Sequence, residues 1–162
     1  MPWDGKAFGD LMVRGPWVID RYFRNEADPL VEGWFPTGDV ATIDPDGFMQ
    51  ITDRSKDVIK SGGEWICSVE IENAVMAHPQ VAEAAVIGVA HPRWSERPLL
   101  VIVPRQSDAA PSHQELMAFL DGKVPRWWLP DASERLAELP HTATGKVSKK
   151  TLRERFADYA WP

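Results

Sequence analysis

The sequence predicts an α/β chain of the α+β kind, a small domain with a short mixed sheet and flanking helices, preceded by a β-rich segment. Three observations predict it. Residues 68–76 and 112–120 repeat apolar side chains at helical spacing. Between these stretches, VAEAAVIGV (residues 81–89) and LLVIV (residues 99–103) are apolar runs of strand length. Upstream, VATI and FMQI flank Asp44-Pro45-Asp46-Gly47, a turn sequence that joins two strands in a hairpin. The order strand, helix, strand, strand, helix suits a small sandwich of ordinary domain size.

Taken in order, residues 1–32 contain FGDLMVRG and the aromatic run PWVIDRYF, punctuated by Gly and Pro. Residues 8–13 read as a strand and the rest as turns or a short helix. Val58-Ile59 reads as a strand leaving into a loop at Ser61-Gly62-Gly63, where glycine lets a ligand approach the backbone closely. Ser68 is placed to cap the first helix, whose apolar face includes Val69, Ile71, Ala74, Val75 and Met76 and which His78-Pro79 closes. Residues 91–98 form a loop between the two buried strands, and residues 104–111 are the longest linker candidate. Ser112 caps the second helix, with Leu116, Phe119 and Leu120 on one face. Residues 131–139 (DASERLAEL) have the composition of a helix. Residues 149–159 form a terminal helix with Leu152, Phe156 and Tyr159 on one stripe. The sequence has no internal repeat and no low-complexity segment.

Composition narrows the function classes. The 162 residues are 44% hydrophobic and 26% charged, as in a globular domain able to bury a core. The net charge of −6 argues against general affinity for nucleic acid or anionic membranes and leaves small ligands as the better expectation. Cys67 is the only cysteine, so no intrachain disulfide forms, and a reducing cytoplasm fits best. None of the four histidines stands at zinc-site spacing, and no metal site is expected. No apolar run reaches the length of about 18 residues needed for a transmembrane helix, and the leading residues do not form a signal peptide. Among the eight tryptophans, adjacent Trp127 and Trp128 are either packing residues or an exposed patch facing a partner.

Two stretches carry candidate chemistry. In Thr37-Gly38-Asp39 the glycine permits close backbone approach, leaving the Asp39 carboxylate to accept hydrogen bonds from a vicinal diol such as a ribose; the same turn can also satisfy only its own backbone. The hairpin carries Asp39 and Arg54 towards the same end. His141-Thr142-Ala143-Thr144-Gly145-Lys146 lifts a lysine on a glycine turn. It is not a Walker loop, because Pro140 and Val147 stand where glycine and a hydroxyl residue are required. Taken alone, Arg54, Lys56 and Lys146 read as solvated surface charges.

In order and spacing, TGD, DRSKDVIKSGG and PHTATGK resemble the adenylate-forming acyl-CoA synthetase (AMP-binding) family. SGGEW, HPRWSERPLL and WWLPD look most like its medium- and long-chain fatty-acyl-CoA ligases. The resemblance covers nearly the whole chain. It implies that residues 1–55 are a β-rich remnant of the large adenylation domain and residues 56–162 the mobile small C-terminal domain. The implied reaction joins a fatty acid to coenzyme A with ATP, through an acyl-adenylate, releasing pyrophosphate and AMP.

In that family pattern Asp39 and Arg54 bind the nucleotide and Lys56 is the hinge. Ser61, Gly62, Gly63, Glu64 and Trp65 line the coenzyme channel, with the Gly62 and Gly63 amides along it and Trp65 packed on the pantetheine arm. Lys146 bridges the substrate carboxylate and the nucleotide phosphate. Lys60 either contacts nucleotide or faces solvent. Lys146, Lys149, Lys150, Arg153 and Arg155 either attract the coenzyme phosphates or form a solvated helix face.

The resemblance also implies a strand at residues 131–139, against the local composition. It places the phosphate loop, the acyl pocket and most ligands of the ATP-bound magnesium in a large domain that this sequence does not contain. Turnover without that domain is therefore not expected, and residues 1–32 are expected to be partly exposed or to self-associate. Ser95 stands where this ligase group more often has glycine, and Cys67 where serine is frequent. The alternatives are an accessory module that docks to a partner without catalysis, and a nucleotide- or coenzyme-binding regulatory domain.

Overall fold

Asp44 builds the first hairpin from its own side chain. Its Oδ1 accepts from the Asp46 and Phe48 amides at 3.0 and 2.8 Å, while Gly47, at φ 87°, closes the turn onto the Asp44 carbonyl. The turn joins β2 (Phe35–Ile43) to β3 (Met49–Arg54), and β1 (Gly9–Val13) pairs antiparallel on the other edge of β2. These strands belong to the first of two compact units, Met1–Lys56 and Asp57–Pro162, in a computed structural model that describes residues 1–19, 21–24 and 28–162. Asp20 and residues 25–27, part of the stretch expected to hold turns or a short helix, lie outside the described residues. Among the described residues before β2 there is no helix, and Trp17 and Phe23 are almost fully exposed.

In the second unit, the stretch expected to leave a strand for an open loop is instead a tight hairpin. β4 (Ile59–Ser61) and β5 (Glu64–Ile66) are joined by Gly62 and Gly63 alone, at φ 60° and 89°. Two successive positive φ values suit a twisted two-residue hairpin, which explains the paired glycines. α1 (Ser68–Met76) follows. Ser68 does not cap it: Cys67 occupies the cap position without a side-chain capping bond, and the Ser68 hydroxyl accepts from Lys149 Nζ at 2.6 Å.

β6 (Val81–His91) and β7 (Ser95–Pro104) pair antiparallel, with a register shift between Val81 and Glu83 and regular pairing from there to His91↔Ser95, so the expected loop at residues 91–98 shrinks to three residues. Ser95 makes this possible by taking φ 69°, a left-handed conformation that glycine adopts without the steric cost of about 1–2 kcal/mol borne by other residues. α2 (His113–Leu120) carries a full capping box, with Ser112 and Glu115 each bonding the other's backbone amide. The expected linker at 104–111 contains a single 3-10 turn, Ser107–Ala109.

β8 (Ala132–Arg135) lies parallel to β7, from Leu99↔Ala132 to Ile102↔Arg135. The helical composition of residues 131–139 is therefore overridden, because each strand residue has a tertiary partner. Ala132 is buried, Ser133 Oγ meets His113 Nδ1 at 3.2 Å, Glu134 accepts from the Tyr159 hydroxyl at 3.0 Å, and Arg135 donates to the Pro111 carbonyl at 3.0 Å. α3 (Lys149–Arg155) ends earlier than expected, and Phe156, Tyr159 and Trp161 pack on the core beyond it.

Alternation in β6 and β7 divides the core. Ala85, Ile87, Val89, Leu99 and Val101 gather with Ala132, Leu139 and Leu152 on one face, while Val86, Leu100 and Ile102 are buried on the other. Burial holds the His113 pKa below 6.5, with Asp131 partly opposing it. The unfolded chain then takes up this proton more readily, so stability rises with pH through the window below about 6.5. Thermal melting is expected to drop as pH falls through that window, and less so in His113→Gln; equal losses in both would remove His113 as the cause.

Candidate functional site

The first unit brings Asp39 and Arg54 together by strand pairing. They are opposite residues of β2 and β3, and Arg54 Nε stands 3.6 Å from Asp39 Oδ1. Thr37-Gly38-Asp39 is not the expected turn but part of β2, where the register against β1 shifts between the Asp10↔Val40 and Met12↔Pro36 pairs and Gly38 takes φ 79°. The Gly38 carbonyl accepts from the Ser55 amide, and Thr37 Oγ1 accepts from the Asp39 amide while donating to the Leu11 carbonyl. This irregular stretch of β2 makes local backbone bonds and still leaves the Asp39 carboxylate partly exposed beside a guanidinium. Lys56, exposed, is the last residue of this unit.

The second unit contains a cavity of about 310 Å³, lined by Ser61, Gly62, Glu64, Trp94, Arg97, Trp127 and Asp131. Gly62 sits against the Trp94 indole: its amide donates to the Trp94 carbonyl at 2.9 Å, and a Cβ at this position would lie 3.0 Å from Trp94 Cε3. The Gly62 amide is therefore spent within the protein. Ser61 and Glu64 are cross-strand partners on the cavity side, and the neighbouring pair Lys60 and Trp65 alternates to the opposite face. Lys60 Nζ lies 5.9 Å from the Trp65 ring centroid. Of the five residues expected along the channel, Ser61, Gly62 and Glu64 line the cavity; Gly63 and Trp65 do not.

Gly62→Ala is expected to destabilise the second unit by about 1–2 kcal/mol, from the positive φ together with the crowding of Trp94. Thermal melting of the purified variant measures this, and an unchanged midpoint would show that the hairpin relaxes freely.

Lys146 stands on a second small hairpin, closed by the bridge between His141 and Val147. Thr142 donates its amide to the Lys146 carbonyl at 2.7 Å and accepts the Gly145 amide on its own carbonyl at 2.9 Å; Gly145 takes φ 79°. The backbone beneath Lys146 is braced, whereas the side chain is exposed and makes no ion pair among the described residues.

The other basic residues near it have structural work. Lys149 Nζ lies 2.8 Å from Glu72 Oε1, and Arg153 Nη1 donates to Asp57 Oδ1 at 2.7 Å, both pairs largely shielded. Lys150 makes an exposed contact with Glu154 at 3.8 Å, and Arg155 lies over the Phe156 ring. The α3 cations are thus neither a single solvated face nor a free phosphate cluster. Among the described residues no three His, Cys, Asp or Glu side chains come together as a metal-binding group.

Residues 70–146 match the AMP-binding enzyme C-terminal domain. Over 98% of its length the chain is 58% identical to the 3-methylmercaptopropionyl-CoA ligase of Ruegeria pomeroyi. The chain matches the C-terminal portion of the AMP-binding, acyl-CoA synthetase family. Within this family it is 51% identical, again over 98% of its length, to the medium-chain-fatty-acid–CoA ligase of Ectopseudomonas oleovorans. ATP-bound MatB from Rhodopseudomonas palustris shares the fold with a TM-score of 0.82 at 32% identity, covering 94% of this chain and 31% of that one. The chain spans 29% of the length of each of the two curated relatives.

Sequence reasoning gave no role to Trp94, Arg97 or Asp131, although HPRWSERPLL and WWLPD were among the stretches that carried the family resemblance. Trp127 and Trp128 divide the two readings open for them: Trp128 is buried, and Trp127 is 43% exposed at the cavity.

Proposed function

We propose that this chain forms the C-terminal part of an acid–thiol ligase that adenylates a carboxylic acid with ATP and transfers the acyl group to coenzyme A. The observation carrying this reading is the Lys146 hairpin: a compact cation on a braced backbone, uncommitted to any carboxylate among the described residues. In the first half-reaction a carboxylate oxygen attacks the α-phosphorus of ATP and pyrophosphate leaves. Two anions must approach, and the Lys146 ammonium neutralises charge that grows at the attacked phosphoryl group. Asp39 accepts hydrogen bonds from the ribose hydroxyls, and Arg54, only loosely paired at 3.6 Å, contacts the nucleotide. Lys56, exposed at the end of the first unit, acts as the hinge.

In the second half-reaction the coenzyme thiol loses its proton and its sulfur attacks the acyl carbonyl, and AMP leaves. The cavity at residues 61–64, with the indoles of Trp94 and Trp127, receives part of the coenzyme; flat aromatic walls suit both its adenine and the apolar stretches of its arm. Magnesium accompanies ATP as its counter-ion, held mainly by the large adenylation domain. The acid is an aliphatic one, from a short thioether acid to a medium- or long-chain fatty acid, a range supported by the names of the relatives. The buried Cys67, outside any disulfide, suits a reducing cytoplasm. No helix among the described residues is long and apolar enough to cross a membrane.

The test is acyl-CoA formation from ATP, coenzyme A and a panel containing 3-methylmercaptopropionate and straight-chain acids. The chain is assayed alone and with the large adenylation domain of a related ligase. Thioester in the mixture alone supports the reading. No thioester in either, from a folded chain, would favour a docking module without catalysis.

A further inference from the structure

We propose that Arg97 is a positioning residue for the coenzyme subsite, tying the two walls of the cavity together without binding the coenzyme itself. The proposal rests on the reading of that cavity as the place where coenzyme A binds. Arg97 lies on β7 with its side chain only 11% exposed. Nε and Nη2 form a fork on Asp131, at 2.7 Å to Oδ2 and 2.8 Å to Oδ1. Nη2 also donates to the Leu129 carbonyl at 3.1 Å, and Nη1 donates to Ser61 Oγ at 3.2 Å and to the Trp127 carbonyl at 3.0 Å. A guanidinium has five N–H donors, so this arrangement engages its whole capacity.

Its acceptors come from different stretches of the chain. Ser61 ends β4 and leads into the Gly62 turn on which Trp94 rests; Trp127 belongs to the 3-10 turn Arg126–Trp128; Asp131 immediately precedes β8. Trp94 and Trp127 are each about two-fifths exposed, as ligand-contacting walls must be, so burial alone does not fix their separation. Arg97 fixes the backbone carbonyl of Trp127 and the hydroxyl beside the Gly62 turn at once. Lysine keeps the charge but has neither the fork nor enough donors in the right plane.

Two roles for this arginine make opposite predictions. If Arg97 were an anion ligand, lysine in its place would retain much of the effect, and Asp131→Asn, which removes a competing negative charge, would tighten binding of the anionic coenzyme. As a positioning residue, Arg97→Lys and Asp131→Asn both weaken binding, because each breaks the fork.

The experiment titrates coenzyme A into the full 162-residue chain, observing the indole N–H resonances of Trp94 and Trp127 by NMR. In the native chain both resonances shift. Arg97→Lys and Asp131→Asn each raise Kd about tenfold or more, the loss expected when a shielded charged hydrogen bond is broken, while the far-UV circular dichroism stays unchanged. Ser61→Ala, which removes one acceptor and keeps the packing, raises Kd by a smaller factor and serves if the other variants fail to fold. A Kd for Arg97→Lys within twofold of native, tighter binding in Asp131→Asn, or no change in Ser61→Ala would overturn the positioning role alone. If coenzyme A moves neither indole in the native chain, the cavity is not a coenzyme site and both readings fall.

Discussion

Lys146→Ala is expected to lower ATP–pyrophosphate exchange about 10²- to 10³-fold in the chain paired with a large adenylation domain, the effect of removing one preorganised charge from a phosphoryl transition state. The effect belongs to the reaction rather than to the fold. Lys146 is exposed, and the bonds that brace its hairpin run through backbone atoms and Thr142 Oγ1. The thermal midpoint of the variant should therefore match that of the native chain. Lys146→Arg should recover only part of the rate, because a planar fork does not present a point charge in the same place. A rate within threefold of native for Lys146→Ala would make this residue a surface lysine and remove the main support for the adenylation role.

The largest stability effect is expected at Lys149. Its ammonium bonds Ser68 Oγ and Glu72 Oε1, and that carboxylate oxygen also accepts the Val86 amide at 2.7 Å, so one ion pair ties α3 to α1 and to β6. The side chains are 13% and 17% exposed, which places the pair well inside the shielded class. Lys149→Met removes the cation and leaves the carboxylate in a poorly solvated position. A loss of about 3 kcal/mol follows, or about 10 °C for a unit of this size.

The double variant Lys149→Met with Glu72→Gln should regain much of that loss, since glutamine keeps an acceptor for the Val86 amide and carries no charge to desolvate. Thermal melting of the single and double variants gives the coupling directly. A shift of less than about 2 °C in Lys149→Met would show that solvent screens the pair as it does on an open surface.

These two lysines also show what the sequence could and could not convey. Both lie in one basic run, and local pattern cannot separate them. Lys146 follows a glycine turn and so projects outward, whereas the partner of Lys149 lies 77 positions earlier, where only tertiary folding brings Glu72 within reach. The same limit explains β8. DASERLAEL has helical composition, and the ladder on β7 prevails because His113, Tyr159 and the Pro111 carbonyl supply partners for its polar side chains.

Elements governed by local rules were legible. The Asp44 turn, the Ser112 cap and the apolar runs of β6 and β7 emerge as expected, since the determining contacts lie within a few residues. The cavity was legible in part. Ser61 and Gly62 stood out through their glycine loop and Glu64 only through the family resemblance, but strict alternation sends Trp65 to the other face, and Trp94 enters from a turn more than thirty positions away. Arg97 gives no local signal, because its importance lies in acceptors contributed by distant stretches.

The central claim, that this chain completes an adenylate-forming ligase, is tested most directly by product stoichiometry in the reconstituted pair. AMP, pyrophosphate and acyl-CoA should accumulate in equal amounts, only when both partners and an acid are present. ADP and phosphate in their place, or thioester formed without AMP, would contradict it.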